Sequence, residues 1–459
     1  MSSTALPEKN NMTTGPEWRR LLLFALPIMA GQFLQQLYNT VDGIVVGRYV
    51  SAAALGAVGS CTTLAFLFLA VALGLGNGCG IFIAQLFGAQ KTETMKRAVA
   101  TALILFTGLG IAFSALGFFA VRWFVVTLLR IREAHLIALS VGYFKVYALG
   151  LLFQFLYNCI ASMLRAVGDS KATLYFLLVS AVGNLILDLL FVAKFRWGIV
   201  GAAAATVISQ FVCVIFCFGY FFGKYPIFRF QSNEFSFSTE DCVYILKLGI
   251  PMTLQQCIVS FGNVFMQRLV NYFGEVTMAA FTCGLRIENY CMIPALSLNS
   301  AMAMFTGQNI GAGKVDRVER GWRSAVAMAV GITFVIATVL FLGAYPLAGL
   351  FGVTGEALEQ SVDYIRFISY MMILFSVYLT TNGVIQGSGD VLYASLCSLS
   401  TLGVRVLISY ILVFCFDFGY HVIWRCIPIG WVFALLLSFV RFRTGKWKEK
   451  AVVGGEVHD

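Results

Sequence analysis

Runs of twenty or more predominantly apolar residues recur along this chain from about residue 21 to about residue 441. A run of this length is long enough to cross the hydrocarbon core of a bilayer as an α-helix. Hydrophobic residues make up 59% of the 459 residues and charged residues only 12%, and the mean hydropathy is +0.84. A soluble protein of this size would lack the polar residues to cover its surface. The sequence therefore predicts a polytopic, all-α integral membrane protein.

Breaks marked by charged residues, Gly or Pro divide the apolar sequence into twelve segments. We predict membrane-spanning helices at about residues 21–47, 54–86, 98–123, 136–164, 172–193, 198–222, 243–271, 277–308, 322–345, 361–386, 391–415 and 419–441. A connection of polar and aromatic residues separates the first six segments from the last six. The predicted domains are an N-terminal tail (1–20), a first lobe (21–222), a linker (223–242), a second lobe (243–441) and a C-terminal tail (442–459).

Basic residues are concentrated in the loops on one side of the predicted membrane. The loop between segments 2 and 3 carries Lys91, Lys96 and Arg97, and the tail from Arg441 to Lys450 is also basic. Because cytoplasmic loops are enriched in Lys and Arg, and the number of segments is even, both termini are predicted to be cytoplasmic. These loops explain the net charge of +10, so no nucleic-acid partner is expected. The polar first twenty residues predict no cleavable signal peptide.

The two halves of the chain resemble each other. Three pairs of stretches occur in the same order, 221–224 residues apart: LPIMAGQFLQQ (26–36) with IPMTLQQCIVS (250–260), AQLFGAQK (84–91) with GQNIGAGK (307–314), and RAVGDSKATLY (165–175) with QGSGDVLYASL (386–396). Six spans in each half give both repeats the same topology. Two six-helix lobes related by pseudo-twofold symmetry about the membrane normal are therefore predicted, with a substrate cavity between them. This architecture is typical of a transporter and speaks against a multi-subunit channel.

Four stretches of the sequence resemble the multidrug and toxic compound extrusion (MATE) family, and most of all its DinF-like bacterial branch. They are LYNTVDGIVVGRYVSAAALGAVG (37–59), AQLFGAQK, RAVGDSKA and NLILD, and the similarity extends from about residue 18 to 445. The resemblance implies an efflux antiporter of the bacterial inner membrane that exports organic, often cationic and amphipathic compounds. It would alternate between outward- and inward-open states, be driven by H⁺ or Na⁺, need no other cofactor and act as a monomer in the lipid bilayer.

A cation site is predicted in the outer half of the first lobe. Asp42 lies near the outer end of segment 1, and Asp188 lies at a similar depth in segment 5 with Asn184 one turn deeper. Thr206 enters the same layer from segment 6. These oxygens suit a hard cation such as Na⁺, and two close carboxylates also favour sharing a proton. The resemblance implies a cation site on the same four residues. The alternative for each is a buried polar residue that only joins helices.

The second repeat does not keep these four residues. The aligned positions hold Met266, Arg405, Ser409 and Ile427. If the acids were required by the scaffold, both lobes should carry them. The asymmetry therefore favours a coupling role confined to the first lobe.

Other polar residues are candidates for the substrate cavity. Gln35 and Tyr38 share a helical face with Asp42, and the remaining candidates are Asn158, Gln256, Glu288 and Arg405. For Glu288 and Arg405 the alternatives are a buried ion pair, which we expect, or substrate contact. Pro27 is a candidate hinge in segment 1, although membrane helices also tolerate Pro without any functional role.

Other classes of function agree less well with the sequence. A lipid-linked oligosaccharide or lipid flippase of the same superfamily is the main alternative, but it usually has a strongly basic cavity and often extra helices. An intramembrane enzyme is not expected, because no HExxH, GxSxG or paired intramembrane histidines occur. Twelve scattered cysteines without a CxxC pair, together with three histidines, predict no metal cofactor or disulfide framework.

Overall fold

The computed structural model describes residues 11–49, 52–230 and 234–451, with side chains described over the same ranges except 39–58, 60 and 63. These residues form helices and no strand. The helices are α1 (Glu17–Tyr49), α2 (Ala52–Gly88), α3 (Thr92–Trp123), α4 (Ala134–Leu149), α5 (Leu151–Ala166), α6 (Ser170–Asp188), α7 (Gly198–Lys224), α8 (Thr239–Tyr272), α9 (Glu275–Gly311), α10 (Val315–Leu342), α11 (Ala344–Gly349), α12 (Gly355–Gly387), α13 (Val391–Phe416), α14 (Val422–Arg425) and α15 (Ile427–Arg443). Short π-helical turns follow α3 and α6.

Most of these helices are long and apolar enough to cross a membrane. Among the described residues ten helical stretches meet that condition, and α4 with α5 forms an eleventh that is bent by 44°. Helix α9 has 37 residues and so exceeds the roughly 30 Å hydrocarbon thickness by a wide margin. Eleven of the twelve predicted spans thus coincide with described helices that are both long and apolar enough, and α9 at the predicted span 277–308 meets the length. The predicted all-α, two-lobed membrane fold is confirmed.

The described residues group into two compact units. Unit 1 holds Asn11 and those of Ala30–Thr253, and unit 2 holds those of Met12–Met29 and Leu254–Asp459. The boundaries therefore fall inside α1 and α8, shortly after the helix-internal residues Pro27 and Pro251.

The core of unit 1 is built around aromatic side chains from α2, α3 and α4. Phe68 is buried, and its ring lies 5.6 Å from that of Phe113 and 5.8 Å from that of Phe144. Small residues bring α2 and α8 into close approach, since a Cβ atom on Gly78 would lie 2.5 Å from the backbone nitrogen of Gly249. Close backbone approach at small residues is a common way for membrane helices to associate.

Unit 2 packs α9 against α12 in a similar way. A Cβ atom on Gly387 would lie 2.2 Å from the carbonyl oxygen of Ala303, so this position requires glycine. Nearer the other end of α12, the buried ring of Tyr364 stacks between Phe281 and Trp424, with centroid distances of 5.8 and 5.6 Å. This aromatic stack is the centre of the unit 2 core.

Each unit contains an ion pair built on the Gly-Asp motif of the repeat. In unit 1, Lys224 Nζ donates to Asp169 Oδ2 at 2.6 Å, and the hydroxyls of Tyr220 and Tyr225 donate to the same oxygen at 2.9 Å. In unit 2, Arg441 Nε donates to Asp390 Oδ2, also at 2.6 Å. Burial by itself raises the pKa of the Asp169 carboxyl, but the hydrogen bonds from Lys224 and the two tyrosines outweigh it and lower that pKa below its ordinary value.

A second repeated ion pair joins the beginning of a long helix to a neighbouring helix in each unit. Arg97 Nε donates to Asp241 Oδ2 at 2.7 Å in unit 1, and Arg320 Nε donates to Glu17 Oε1 at 3.1 Å in unit 2. Arg317 contacts the same Glu17 oxygen at 3.1 Å. The repeat alignment matches Arg97 with Arg320 and Asp241 with Glu17. Both repeats therefore keep this contact as part of their scaffold.

Candidate cation site

Helix α6 positions two of the predicted site residues on one face. The helix begins at Ser170, where the Asp169 side chain caps it by accepting from the backbone N–H of Ala172 at 3.3 Å. Asn184 and Asp188 then lie one turn apart near its end, each with 1% of its surface exposed. Residues four apart in an α-helix point to the same side, as the sequence predicts.

Helix α7 brings Thr206 against this face. The Asn184 amide lies 2.6 Å from Asp188 Oδ2 and 3.2 Å from Thr206 Oγ1. Because a carboxylate oxygen only accepts, Nδ2 must donate to Asp188, which leaves Oδ1 to accept from the hydroxyl of Thr206 and from its backbone N–H at 3.1 Å. The Thr206 hydroxyl has the carbonyl of Ala202 as a second acceptor at 3.1 Å. Asn184 thus links the acid on α6 to the backbone of α7.

The arrangement offers three kinds of hard oxygen donor within a buried cluster. They are the carboxylate of Asp188, the amide oxygen of Asn184 and the hydroxyl of Thr206. Such oxygens suit a proton or an alkali cation rather than a soft metal. Among the described residues no group of three or more His, Cys, Asp or Glu side chains forms a metal site.

The fourth predicted ligand, Asp42, lies outside the described side chains. Its backbone belongs to α1, which the structure gives as helical to Tyr49. The contribution of the Asp42 carboxylate to this site therefore stays a prediction from the sequence.

Two clefts of unit 1 adjoin the cluster. The first has a volume of about 80 Å³, and its wall includes Gln35, Tyr38 and Thr206. The second is lined mainly by apolar residues together with Tyr38, Asn184 and Asp188. Tyr38 therefore lies in the wall of both clefts, beside the predicted cation ligands.

Of the substrate candidates in unit 1, Gln35 and Tyr38 line a cleft, whereas Asn158 does not lie in the wall of either. Asn158 is 6% exposed and donates to the carbonyl of Gln154, one turn earlier in α5, at 2.8 Å. The first cleft also has polar lining residues that were not predicted from the sequence: Gln154, Tyr157, Ser180, Ser209 and Gln210. The i, i+3 spacing of Gln154 and Tyr157 was the signal that could have identified two of them.

The substrate-cavity candidates Glu288 and Arg405 in unit 2 are not arranged as the ion pair that we expected. No ion pair joins Glu288 on α9 to Arg405 on α13, although both are described. The expected ion pair is therefore wrong. The Glu288 carboxylate instead accepts a hydrogen bond from the hydroxyl of Tyr364, a partner that reaches it from α12. Gln256 lies half-buried on α8, and its carbonyl accepts from Ser260 at 3.0 Å.

Known proteins resemble this chain over nearly its full length. The sequence profile described as MatE matches residues 27–190 and 251–411, one stretch in each half. The chain is 30% identical over 442 residues to the probable multidrug resistance protein YpnP of Bacillus subtilis, covering 95% of this chain and 97% of that protein.

Two solved structures share the fold. A MOP superfamily transporter from Pyrococcus furiosus, whose binding pocket is described as having reverse polarity, superposes with a TM-score of 0.90 at 25% identity, covering 97% of this chain and 99% of the other. A multidrug resistance MATE family transporter in an outward-facing conformation superposes with a TM-score of 0.89, also at 25% identity, covering 97% and 100% of the two chains. The fold, the repeat and both halves of the profile agree, and the chain belongs to the MatE family of multi-pass membrane transporters.

Proposed function

We propose that this chain is a secondary-active antiporter that exports organic, often cationic and amphipathic compounds in exchange for H⁺ or Na⁺ by alternating access. The observation that carries the proposal is the cluster of the buried residues Asn184 and Asp188 with the half-buried Thr206 in unit 1. An ionised carboxylate inside a membrane costs about 3 kcal/mol or more. A proton or a bound cation removes that cost, so occupancy of the site is tied to an ion gradient.

Asn184 couples ion binding at Asp188 to the position of α7, because it is hydrogen-bonded to both Asp188 and Thr206. While Asp188 is ionised, Asn184 donates to it and accepts from Thr206. Protonation of Asp188 at Oδ2 would turn that oxygen into a donor, and Na⁺ held by the Asn184 and Asp188 oxygens would compete with the Thr206 N–H for the amide oxygen. Either event changes the contact between α6 and α7, and Asp42 supplies the further carboxylate that the sequence predicts.

The adjoining clefts connect this change to substrate binding. Tyr38 lines both the cleft that contains Thr206 and the cleft that contains Asp188. A substrate held against Tyr38 and Gln35 therefore shares a wall with the cation ligands. Release of substrate when the ion binds is the exchange that antiport requires.

The alternative of a lipid-linked oligosaccharide or lipid flippase has less support. The residues that line the two clefts include no Lys or Arg within the part of the chain that the structure describes. A polyanionic lipid-linked substrate calls for basic side chains, whereas an aromatic and amide lining suits flat organic cations. We further propose a bacterial inner-membrane location with both termini cytoplasmic and a monomeric protein, which needs no enzymatic step and no cofactor besides the coupling ion.

Transport by purified protein in proteoliposomes tests the proposal. Efflux of a fluorescent organic cation is measured for the wild type, Asp42→Asn and Asp188→Asn under a pH gradient and, separately, under a sodium gradient. We expect one gradient to drive efflux by the wild type and both substitutions to abolish the response to it. Normal gradient-driven efflux by both variants would overturn the proposal. A wild type that moves lipid-linked oligosaccharide and no organic cation would establish the flippase instead.

A further inference from the structure

Unit 2 contains a buried acid that the proposed coupling site does not use. Glu288 lies on α9 with 4% of its surface exposed, and its carboxylate accepts from the hydroxyl of Tyr364. Tyr364 is fully buried and held in place by stacking between Phe281 and Trp424. The hydrogen-bond donor to Glu288 is therefore rigidly positioned.

The positive charge of Arg405 does not form an ion pair with this acid. Arg405 from α13 acts on Glu288 electrostatically, but no ion pair joins them. The Nε atom of Arg405 is buried and has no hydrogen-bond partner in the described part of the chain. Two thiols also lie near the pair, Cys291 beside Glu288 and Cys426 beside Arg405. A buried carboxylate with one hydrogen bond and a distant counter-charge is poorly compensated.

The repeat indicates that the cation bound by Glu288 differs from the one bound at the unit 1 site. Arg405 occupies the position of Asn184, and Ser409, which is fully buried, occupies the position of Asp188. An arginine in place of the amide leaves a cation where unit 1 has an oxygen donor. The positive charge of Arg405 disfavours Na⁺ beside Glu288, whereas a proton neutralises the carboxylate.

We propose that Glu288 is a second protonation site of this transporter, with Tyr364 as the hydrogen-bond donor to its carboxylate and Arg405 as the counter-charge of its ionised form. While no ion pair compensates the carboxylate, binding a proton removes its buried charge. Approach of Arg405 to the carboxylate stabilises the ionised form and releases the proton. This inference goes beyond the proposed coupling at Asp188 and does not depend on it.

Infrared spectroscopy of the full chain in lipid nanodiscs tests the inference, because a protonated carboxyl has its own carbonyl stretch, free of the amide bands. Spectra are recorded over a pH titration for the wild type, Glu288→Gln and Asp188→Asn. We expect a titrating carboxyl band that is lost in Glu288→Gln and kept in Asp188→Asn. Identical sets of titrating bands in the wild type and Glu288→Gln would overturn the inference.

A second set of variants separates a protonation site from a structural contact. Removing the counter-charge in Arg405→Gln should move the titration of the Glu288 band by about one pH unit or more to higher pH, and Arg405→Lys should restore most of the wild-type midpoint. Glu288→Asp controls for folding, since it should shift the band without removing it. A Glu288 band that does not change with pH, or whose midpoint is the same in Arg405→Gln, would also overturn the inference. The effect of Asp188→Asn on gradient-driven efflux tests the proposed function. It does not bear on the infrared titration of Glu288.

Discussion

The face of α6 in unit 1 and the matching face of α13 in unit 2 have the same place in the repeat but opposite chemistry. Asn184 and Asp188 give the first a buried acid and amide, whereas Arg405 and Ser409 give the second a cation and a hydroxyl. The acid of unit 2, Glu288, comes from a different helix. The two repeats therefore share one scaffold but carry buried residues of opposite charge at matched positions.

Other positions show what the scaffold itself requires. Asp169 and Asp390 both bind a basic residue near the end of the last long helix of their repeat, at 2.6 Å in each case. The pairs of Arg97 with Asp241 and of Arg320 with Glu17 are also matched. Acids that maintain the fold recur in both repeats, and the acid assigned to coupling occurs in one. The occurrence of Asp188 in one repeat only is what favours a coupling role for it over a structural one.

The largest effect is expected from the unmatched acid. Asp188→Ala should lower gradient-driven efflux about tenfold or more, because the coupling free energy depends on its charge. Ser409→Ala is the matched control in unit 2 and should retain nearly all efflux. Both variants are measured in proteoliposomes at equal protein content. Similar losses in the two variants would break the contrast between the faces.

The matched acids should affect stability and leave coupling intact. Asp169→Asn and Asp390→Asn should each lower the free energy of unfolding by about 1–3 kcal/mol, because each replaces the charged acceptor of Lys224 or Arg441 with a neutral amide. Thermal unfolding in detergent measures this effect. The ratio of driven to undriven efflux should stay at the wild-type value, and a selective loss of that ratio in either variant would contradict the scaffold role.

The sign of the pH dependence follows from the lowered pKa of Asp169. Its ionised form is favoured in the folded state, so its contribution to stability is fully present above the ordinary pKa of 3.8 and is lost as the pH falls through the lower folded value. Thermal unfolding of the wild type and Asp169→Asn over acidic pH should therefore converge. A difference that grows as the pH falls would show that another group is responsible.

A smaller effect is expected from the hydroxyl that contacts Asn184. Thr206→Val keeps the shape of the side chain and removes one hydrogen bond worth about 1 kcal/mol, so the affinity for the coupling ion should fall about fivefold. Thr206→Ser is the control and should keep the affinity near that of the wild type. Ion-concentration dependence of efflux gives both values, and an unchanged dependence in Thr206→Val would remove this residue from the site.

The smallest effect is expected from the matched ion pairs at the beginnings of α1 and α8. Glu17→Gln and Asp241→Asn should each lower the free energy of unfolding by about 1 kcal/mol, because solvent screens the side chains of Arg320 and Arg97, which are 63% and 43% exposed, although Glu17→Gln also weakens the contact with Arg317. Chemical denaturation of the two variants measures the change. Unequal losses of several kcal/mol would show that the two pairs are not equivalent.

The sequence was sufficient for the fold and for part of the site. Hydrophobic runs determine where helices cross a membrane, and the four-residue spacing of Asn184 and Asp188 determines their common face. The partner of Glu288 could not be predicted, because Tyr364 reaches it only through the packing of α12 on α9. The division of α1 and α8 between the two units could not be predicted either. In the sequence each helix is one continuous apolar segment, marked only by Pro27 or Pro251.

The central claim is that unit 1 binds the coupling ion at the cluster around Asp188. Two parallel measurements on the purified full chain test it directly. One is calorimetric titration with Na⁺, and the other is proton release on substrate binding. We expect the wild type and Ser409→Ala to show the same ion binding in one of these measurements, and Asp188→Asn to show none. Wild-type ion binding by Asp188→Asn would contradict the claim.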